Sequence, residues 1–332
     1  MGENRKGLVF GFAAYGMWGL FPLYWPLLEP AGAAEILAHR MVWSLAVVAV
    51  LLLALRRWAW ITELIRQPRR LALIALAATV VSVNWGTYIW AVNAGHVVET
   101  SLGYFINPLV TVGLAVLVLH ERLRPVQWVA VGIGCAAVGV LAVGYGRLPW
   151  IALVLAFTFG TYGLVKKKIA MGGVESLAAE TSVQFLPAAV FLVILGSRGD
   201  STFTHHGPGH ATLLALSGVA TALPLVLFGM SANRLPLSTL GLIQYLAPVF
   251  QFLIGILHFH ETMSTEQWIG FLLVWSALVL LTADALRNGR RTRAAATAAR
   301  SAAAPAPERT ADPATAPATG MPGATAGRRP GV

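Results

Sequence analysis

The sequence predicts an all-α polytopic membrane protein, with ten transmembrane helices in two inverted five-helix repeats and a C-terminal tail outside them. Three observations carry that prediction. Of the 332 residues, 57% are hydrophobic and only 11% charged, a balance too apolar for a soluble domain of this length. Ten apolar segments follow one another, each near the roughly 20 residues that cross a hydrocarbon core of about 30 Å. A block in the first half also recurs in the second half without a gap: Asn93, Pro108, His120, Glu121, Gln127 and Trp128 reappear as Asn233, Pro248, His260, Glu261, Gln267 and Trp268.

The segments run 7–27, 33–55, 71–92, 100–119, 126–144, 149–165, 176–196, 211–230, 237–257 and 267–285. The first lacks an A-x-A-like end and runs past 20 residues, so it is expected to stay as a span rather than be cleaved as a signal peptide. The second has Glu35 near its start and carries His39 and Arg40. The third carries Asn84, Trp85, Tyr88 and Trp90. The fourth carries Tyr104, Asn107 and Pro108, and the ninth Gln244, Tyr245, Pro248 and Gln251, where Pro248 is expected to kink the helix. The sixth is the shortest, and charge decides whether it is real.

If all ten segments cross, Lys and Arg should gather in every second loop. They do. One side receives Arg5, Lys6, the five arginines from Arg56 to Arg70, Arg122, Arg124, Lys166 to Lys168, Arg234, and the four arginines from Arg287 to Arg293. The other receives Arg147 and Arg198. Without the sixth segment the Lys166–Lys168 cluster would change sides. The richer side reads as cytoplasmic, and with it both termini. Five spans per half is odd, so the second half enters from the opposite face and the repeat is inverted, the arrangement found in secondary transporters with a site where the halves meet. The expected units are 1–146 (helices 1–5), 147–293 (helices 6–10) and a tail, 294–332.

The net charge of +10 does not indicate a nucleic-acid partner. Eight arginines after residue 286, against Glu308 and Asp312, supply six of those units. From Ala294 the tail is Ala, Pro, Thr and Gly, which cannot bury a core, so it reads as disordered. Arg287, Arg290, Arg291 and Arg293 follow the last span directly, where anionic lipid attracts them. The single cysteine, Cys135, excludes a disulfide within the chain.

Polar residues inside spans are costly unless they face protein, water or a solute. Arg40 is the foremost. It either ties helices together, or meets an anionic solute or a titrating carboxylate, with His39 beside it. Glu180, a turn inside the seventh segment, either pairs with the Lys166–Lys168 cluster and snorkels to water or exchanges a coupling proton. Gln184 lies one turn deeper on the same face. Asn84 with Tyr88, Tyr104 with Asn107, and Gln244, Tyr245 and Gln251 are amides and aromatics of the kind that line a cavity for a moderately polar organic solute. Trp85 belongs with them. For Tyr88, Trp90 and Tyr104 an aromatic belt at the interface is the competing reading. Gly7 with Gly11, and Gly132 with Ala136, have the spacing of close helix packing.

Catalytic chemistry finds no support. His120–Glu121 and His258–His260–Glu261 fall on opposite faces, where they cannot share a metal, and read instead as closing helix ends. His205, His206 and His210 lack a spaced Cys or carboxylate set. The glycines at 132, 134 and 139 follow no strand, and no Walker motif appears. No cofactor or metal is expected; the expected partners are lipid, a small-molecule substrate and a coupling proton.

Several strings also carry a family likeness: AAYGMWG in the first span, EILAHR entering the second, Asn84-Trp85, SLGYFINPL in the fourth, YGLVKKKIA leaving the sixth and LSTLGLIQYLAP in the ninth. Over residues 7 to about 287 the chain resembles the EamA family of the drug/metabolite transporter superfamily. The resemblance implies ten helices in two inverted repeats, cytoplasmic termini, and a cofactor-free permease of the cytoplasmic membrane that moves a small metabolite or drug. The competing class is a membrane scaffold or partner subunit whose buried polar residues are structural only.

Overall fold

The computed structural model describes residues 3–55, 59–119, 123–169 and 171–303. The chain divides into Met1–Gly289 and Arg290–Val332. The first unit is entirely helical in its regular structure among the described residues. The second is helical as far as Ala303. The helix runs past the expected tail boundary at 294, and residues 304–332, like His120, Glu121 and Arg122, lie outside the described residues.

In chain order the helices are α1 (Glu3–Gly19), α2 (Phe21–Tyr24) with a 3-10 turn (Trp25–Leu28), α3 (Ala33–Leu55), α4 (Ala59–Ile65), α5 (Pro68–Asn93), α6 (Val97–Leu119), α7 (Pro125–Tyr145) and α8 (Trp150–Ile169). They continue with α9 (Gly173–Ser197), α10 (Thr202–His205), α11 (Gly207–Ala232), α12 (Leu237–Ile243), α13 (Leu246–Leu257) and α14 (Thr265–Ala303). Among the described residues eight stretches are long and apolar enough to span, one of them Thr239–Leu257 across α12 and α13, and α1 with the bent piece Phe21–Leu28 supplies a ninth, with a 46° bend.

The sixth segment of the sequence is α8. Its 20 residues reach about 30 Å; the lysines at its end lower its hydropathy, not its length. Contacts at its two ends show that it runs the full depth of α5. Ile151 N–H near its start donates to Glu99 of α6 (3.2 Å), while the carbonyl of Ile169 at its end accepts from Arg70 Nε at the start of α5 (3.0 Å). Between them Asn84, midway along α5, donates to the Leu155 carbonyl (3.0 Å).

Helix packing repeats itself when the halves are exchanged. In the first half α1 packs on α11 and α13; in the second, its counterpart α8 packs on α5 and α6. Likewise α3 packs on α11 and α9 on α5, while α3–α9 and α6–α13 pair with each other. Most of the packing thus joins one half to the other. The core falls into one cluster around α6, α7, α13 and α14 and another around Trp25, Leu28, Ile36, Ile89 and Ile151.

Local chemistry explains several recurring residues. Gln127 Oε1 accepts from Arg124 N–H (3.0 Å) and Gln267 Oε1 from Ser264 N–H (2.8 Å), so this repeated glutamine closes the first turns of α7 and α14. Pro248 lacks an N–H and crowds the carbonyl four residues back, that of Gln244; the ninth span is interrupted at Gln244–Tyr245, between α12 and α13. Gly146, where the halves meet in sequence, ends α7 at φ +63°, a conformation that favours glycine. Gly7 and Gly11 bring α1 onto α11, where added Cβ atoms would meet Leu235 (2.9 Å) and Ser231 Oγ (2.8 Å). The Gly132 and Ala136 pair does not pack: nothing lies within 4 Å of a Cβ at Gly132, and both residues are exposed. On α7 it is Gly134 that packs, against Leu109 (2.9 Å).

Candidate functional site

Arg40 lies seven residues into α3, about two turns deep, with 3% of its surface exposed. Its Nε donates to Thr221 Oγ1 of α11 (2.7 Å). Thr221 in turn donates to the Ser217 carbonyl (2.9 Å), which leaves its oxygen lone pairs for the guanidinium. The guanidinium carbon stands 3.9 Å from the Trp85 ring centre, 5.2 Å from Trp25 and 5.7 Å from Phe21. Three aromatic faces thus replace part of the hydration that an arginine loses near the bilayer centre, a loss of about 2.5–3.5 kcal/mol on insertion scales, and each contributes about 0.5–2 kcal/mol.

The sequence signalled Arg40 and Trp85 but not Phe21, Trp25 or Thr221. Pro22 and Pro26 are the available signal: each denies the helix an N–H, the chain bends between Gly19 and Phe21, and Phe21 and Trp25 come to lie over Arg40. One break is repaired from the second half. The Trp18 carbonyl would meet the N–H of residue 22, a proline, and accepts instead from Gln251 Nε2 of α13 (3.2 Å).

The structure brings Tyr88 and Tyr104 to Arg40 and takes both away from the lipid interface. Their rings meet edge to face at 5.7 Å, and both, with Tyr24, lie near Arg40. Tyr104 donates to Asn84 Oδ1 (3.3 Å) and Tyr24 to the Leu213 carbonyl (2.7 Å); the buried Tyr88 hydroxyl has no hydrogen-bond partner among the described residues. Trp90, by contrast, is 43% exposed and lies tilted against Trp150, ring centres 5.4 Å apart, as an interfacial aromatic would. His39 is buried, stacked on Phe203 at 4.7 Å, with neither ring nitrogen bonded among the described residues.

The remaining amides are mostly engaged by the protein. Asn84 donates to Leu155 O and Thr158 Oγ1 (2.9 Å) besides accepting from Tyr104, joining α5, α8 and α6. Gln184 donates to the Ala78 carbonyl (3.0 Å) and Ser82 Oγ (2.9 Å) of α5. Asn107 Oδ1 accepts from Thr111 one turn on (3.5 Å). Tyr245 packs against the core cluster of α6, α7, α13 and α14, and Gln244 sits half-buried in the break of the ninth span. None of these stands in the Arg40 group apart from Asn84, through Tyr104.

Glu180 is also buried and engaged. It accepts from Lys166 Nζ (2.6 Å), Tyr162 (2.9 Å) and Ser176 (2.8 Å), and Lys166 also donates to Ser176. Two further carboxylates tie helix ends on the other face, a use the sequence did not reveal. Glu99 takes Arg147 (2.8 Å) together with the N–H of Ile151, and Glu35 takes the N–H (2.8 Å) and hydroxyl (3.0 Å) of Thr202. His205 and His210 are held by the Ser201 carbonyl and the Thr202 hydroxyl.

Comparison with known proteins agrees with this architecture. A model described as "EamA-like transporter family" matches twice, over residues 5–144 and 148–283. The chain is 69% identical over 292 residues to "Protein RarD" of Streptomyces exfoliatus, covering 88% of this chain and 93% of that one. It is 39% identical to "Protein RarD" of Escherichia coli (strain K12), over 87% and 98%, and 31% identical to "Chloramphenicol-sensitive protein RarD" of Pseudomonas aeruginosa, over 87% and 97%. A solved crystal structure shares the fold, with a TM-score of 0.55 at 19% identity over 85% of this chain and 98% of its own. With matches across both halves, this multi-pass membrane protein belongs to the EamA-like transporter family.

Proposed function

We propose that the chain is a secondary transporter of the cytoplasmic membrane, with both termini cytoplasmic, that moves a small organic metabolite or drug by alternating access. The observation that carries the reading is Arg40. A cation buried at a junction of the halves, fixed to α11 by Thr221 and to α5 by Trp85, has no carboxylate partner among the described residues, and its two Nη nitrogens are unbonded there. A purely structural arginine would be expected to spend those donors on carbonyls or acids. The packing of each half on the other supports alternating access, since helices paired across a pseudo-two-fold can rock about a site between them.

Residues 1–146 and 147–293 serve as the two repeats, and Glu180 is the candidate for proton coupling, with Lys166 as its partner in this conformation. Flux of candidate solutes into proteoliposomes tests the reading. The panel comprises metabolites and amphenicol drugs first selected by thermal shift, the latter because the Pseudomonas relative is named for chloramphenicol sensitivity. Solute-specific flux supports a transporter; absence of flux across every compound that binds would leave a scaffold or partner subunit.

A further inference from the structure

We infer that the Arg40 group is a binding site for monoanionic organic solutes, in which a carboxylate or comparable anionic group meets the guanidinium and an apolar body lies along the aromatic walls. The inference rests on the transporter reading for its physiological use but not for its chemistry. The charge balance sets the class. Arg40 is one buried positive charge, and it forms no ion pair with a carboxylate among the described residues. The nearest acid in sequence, Glu35, is committed to Thr202 and Ser201. One negative charge completes the site, a second would remain unpaired, and a cation would add to the repulsion.

The donors favour a planar, two-oxygen acceptor. Arg40 holds Nε on Thr221 and keeps both Nη nitrogens for a fork that suits a carboxylate. The Tyr88 hydroxyl, fully buried and without a partner among the described residues, is a further donor from the neighbouring helix. A buried donor left unmade is costly, and an arriving carboxylate oxygen would satisfy it. The rings of Trp85, Trp25 and Phe21 surround the guanidinium and Tyr104 meets Tyr88 edge to face, so the apolar body of a solute at Arg40 would meet aromatic rings. A small hydrated inorganic anion gains nothing from such walls.

The test uses three compounds with one body and three charges, 3-phenylpropionate, 3-phenylpropionamide and 3-phenylpropylamine, with hexanoate, acetate and chloride as size controls. Binding to the purified full chain in detergent is measured by isothermal titration and by tryptophan fluorescence, since Trp25 and Trp85 are in the site. The expected result is binding of 3-phenylpropionate and hexanoate, weaker binding of acetate, and at least tenfold weaker binding of the amide and amine. Arg40→Gln should weaken 3-phenylpropionate by about tenfold or more, the equivalent of one charge-assisted hydrogen bond. Should Arg40→Gln fail to fold, Tyr88→Phe, which keeps the ring, should weaken the carboxylate several-fold and leave the amide unchanged.

Equal binding of the amide or amine, failure of every monocarboxylate to bind, chloride binding as tightly as 3-phenylpropionate, or unchanged carboxylate affinity in folded Arg40→Gln overturns the inference. Anion binding without flux of any solute would contradict the transporter reading and leave this one standing. Flux confined to neutral or cationic solutes would do the reverse.

Discussion

Glu261, in the loop before α14, accepts hydrogen bonds from the N–H groups of Val97 (2.6 Å) and Val98 (2.9 Å). A carboxylate from the second half of the chain therefore caps the first turn of α6 in the first half, where a helix leaves its N–H groups unpaired and favours negative charge. Glu261→Ala should lower stability by about 1–2 kcal/mol, read as detergent-solubilised melting temperature. Burial holds the Glu261 carboxyl above its ordinary 4.5, assisted by the Glu99 charge and opposed by the two N–H bonds and by His96. A raised carboxylate pKa means that the folded chain holds the proton more tightly than the unfolded chain. This group's contribution to stability is thus complete below pH 4.5 and is lost as pH climbs through the raised value. The melting temperature of the wild type relative to Glu261→Gln should fall over that climb, and a rise would contradict the assignment.

Asn84 joins α5, α8 and α6 through three hydrogen bonds. At the average of about 0.6 kcal/mol per interhelical bond in membranes, Asn84→Leu should cost about 2 kcal/mol. Flux per folded molecule should drop far less than in Arg40 variants. Full stability with lost flux would make Asn84 a substrate ligand rather than a tie.

The Lys166–Glu180 pair should behave as a unit. Lys166→Met leaves a buried carboxylate with only the Tyr162 and Ser176 hydroxyls and should be strongly destabilising, by about 3 kcal/mol, whereas Lys166→Met with Glu180→Gln should recover most of that loss. If Glu180 exchanges the coupling proton, Glu180→Gln should also remove the dependence of flux on a pH gradient. Flux still driven by the gradient in that variant would confine Glu180 to structure.

Membrane orientation is open to direct measurement. Reporters fused at positions 147 or 200 should read as external and those at 62 or 170 as cytoplasmic, following the segregation of lysine and arginine. An external reading at 170 would remove α8 as a span and the inverted repeat with it.

The spans were legible because hydropathy and charge alternation are properties of contiguous sequence. So was the helix-closing role of Glu261, because the repeat placed it beside a helix end; its counterpart Glu121 lies outside the described residues. The site was legible only in part. Arg40 stands out as a lone cation in a span, but its partners come from the bend after Gly19 and from α11, about 180 residues away in Thr221. Asn84, Gln184 and Gln251 look alike in sequence as deep amides, yet each one's donors go to carbonyls or hydroxyls set by packing. Tyr88 resembled a belt residue near the end of its span, and only the fold shows that α6 covers it.

The most direct test of the central claim is flux and melting temperature measured on the same preparations of wild type, Arg40→Gln and Arg40→Lys, using a solute that the wild type carries. The expected result is a folded Arg40→Gln protein without flux and an Arg40→Lys protein with partial flux, because lysine keeps the charge and loses the planar fork of donors. Normal flux per folded molecule in Arg40→Gln would contradict the claim that transport depends on this cation.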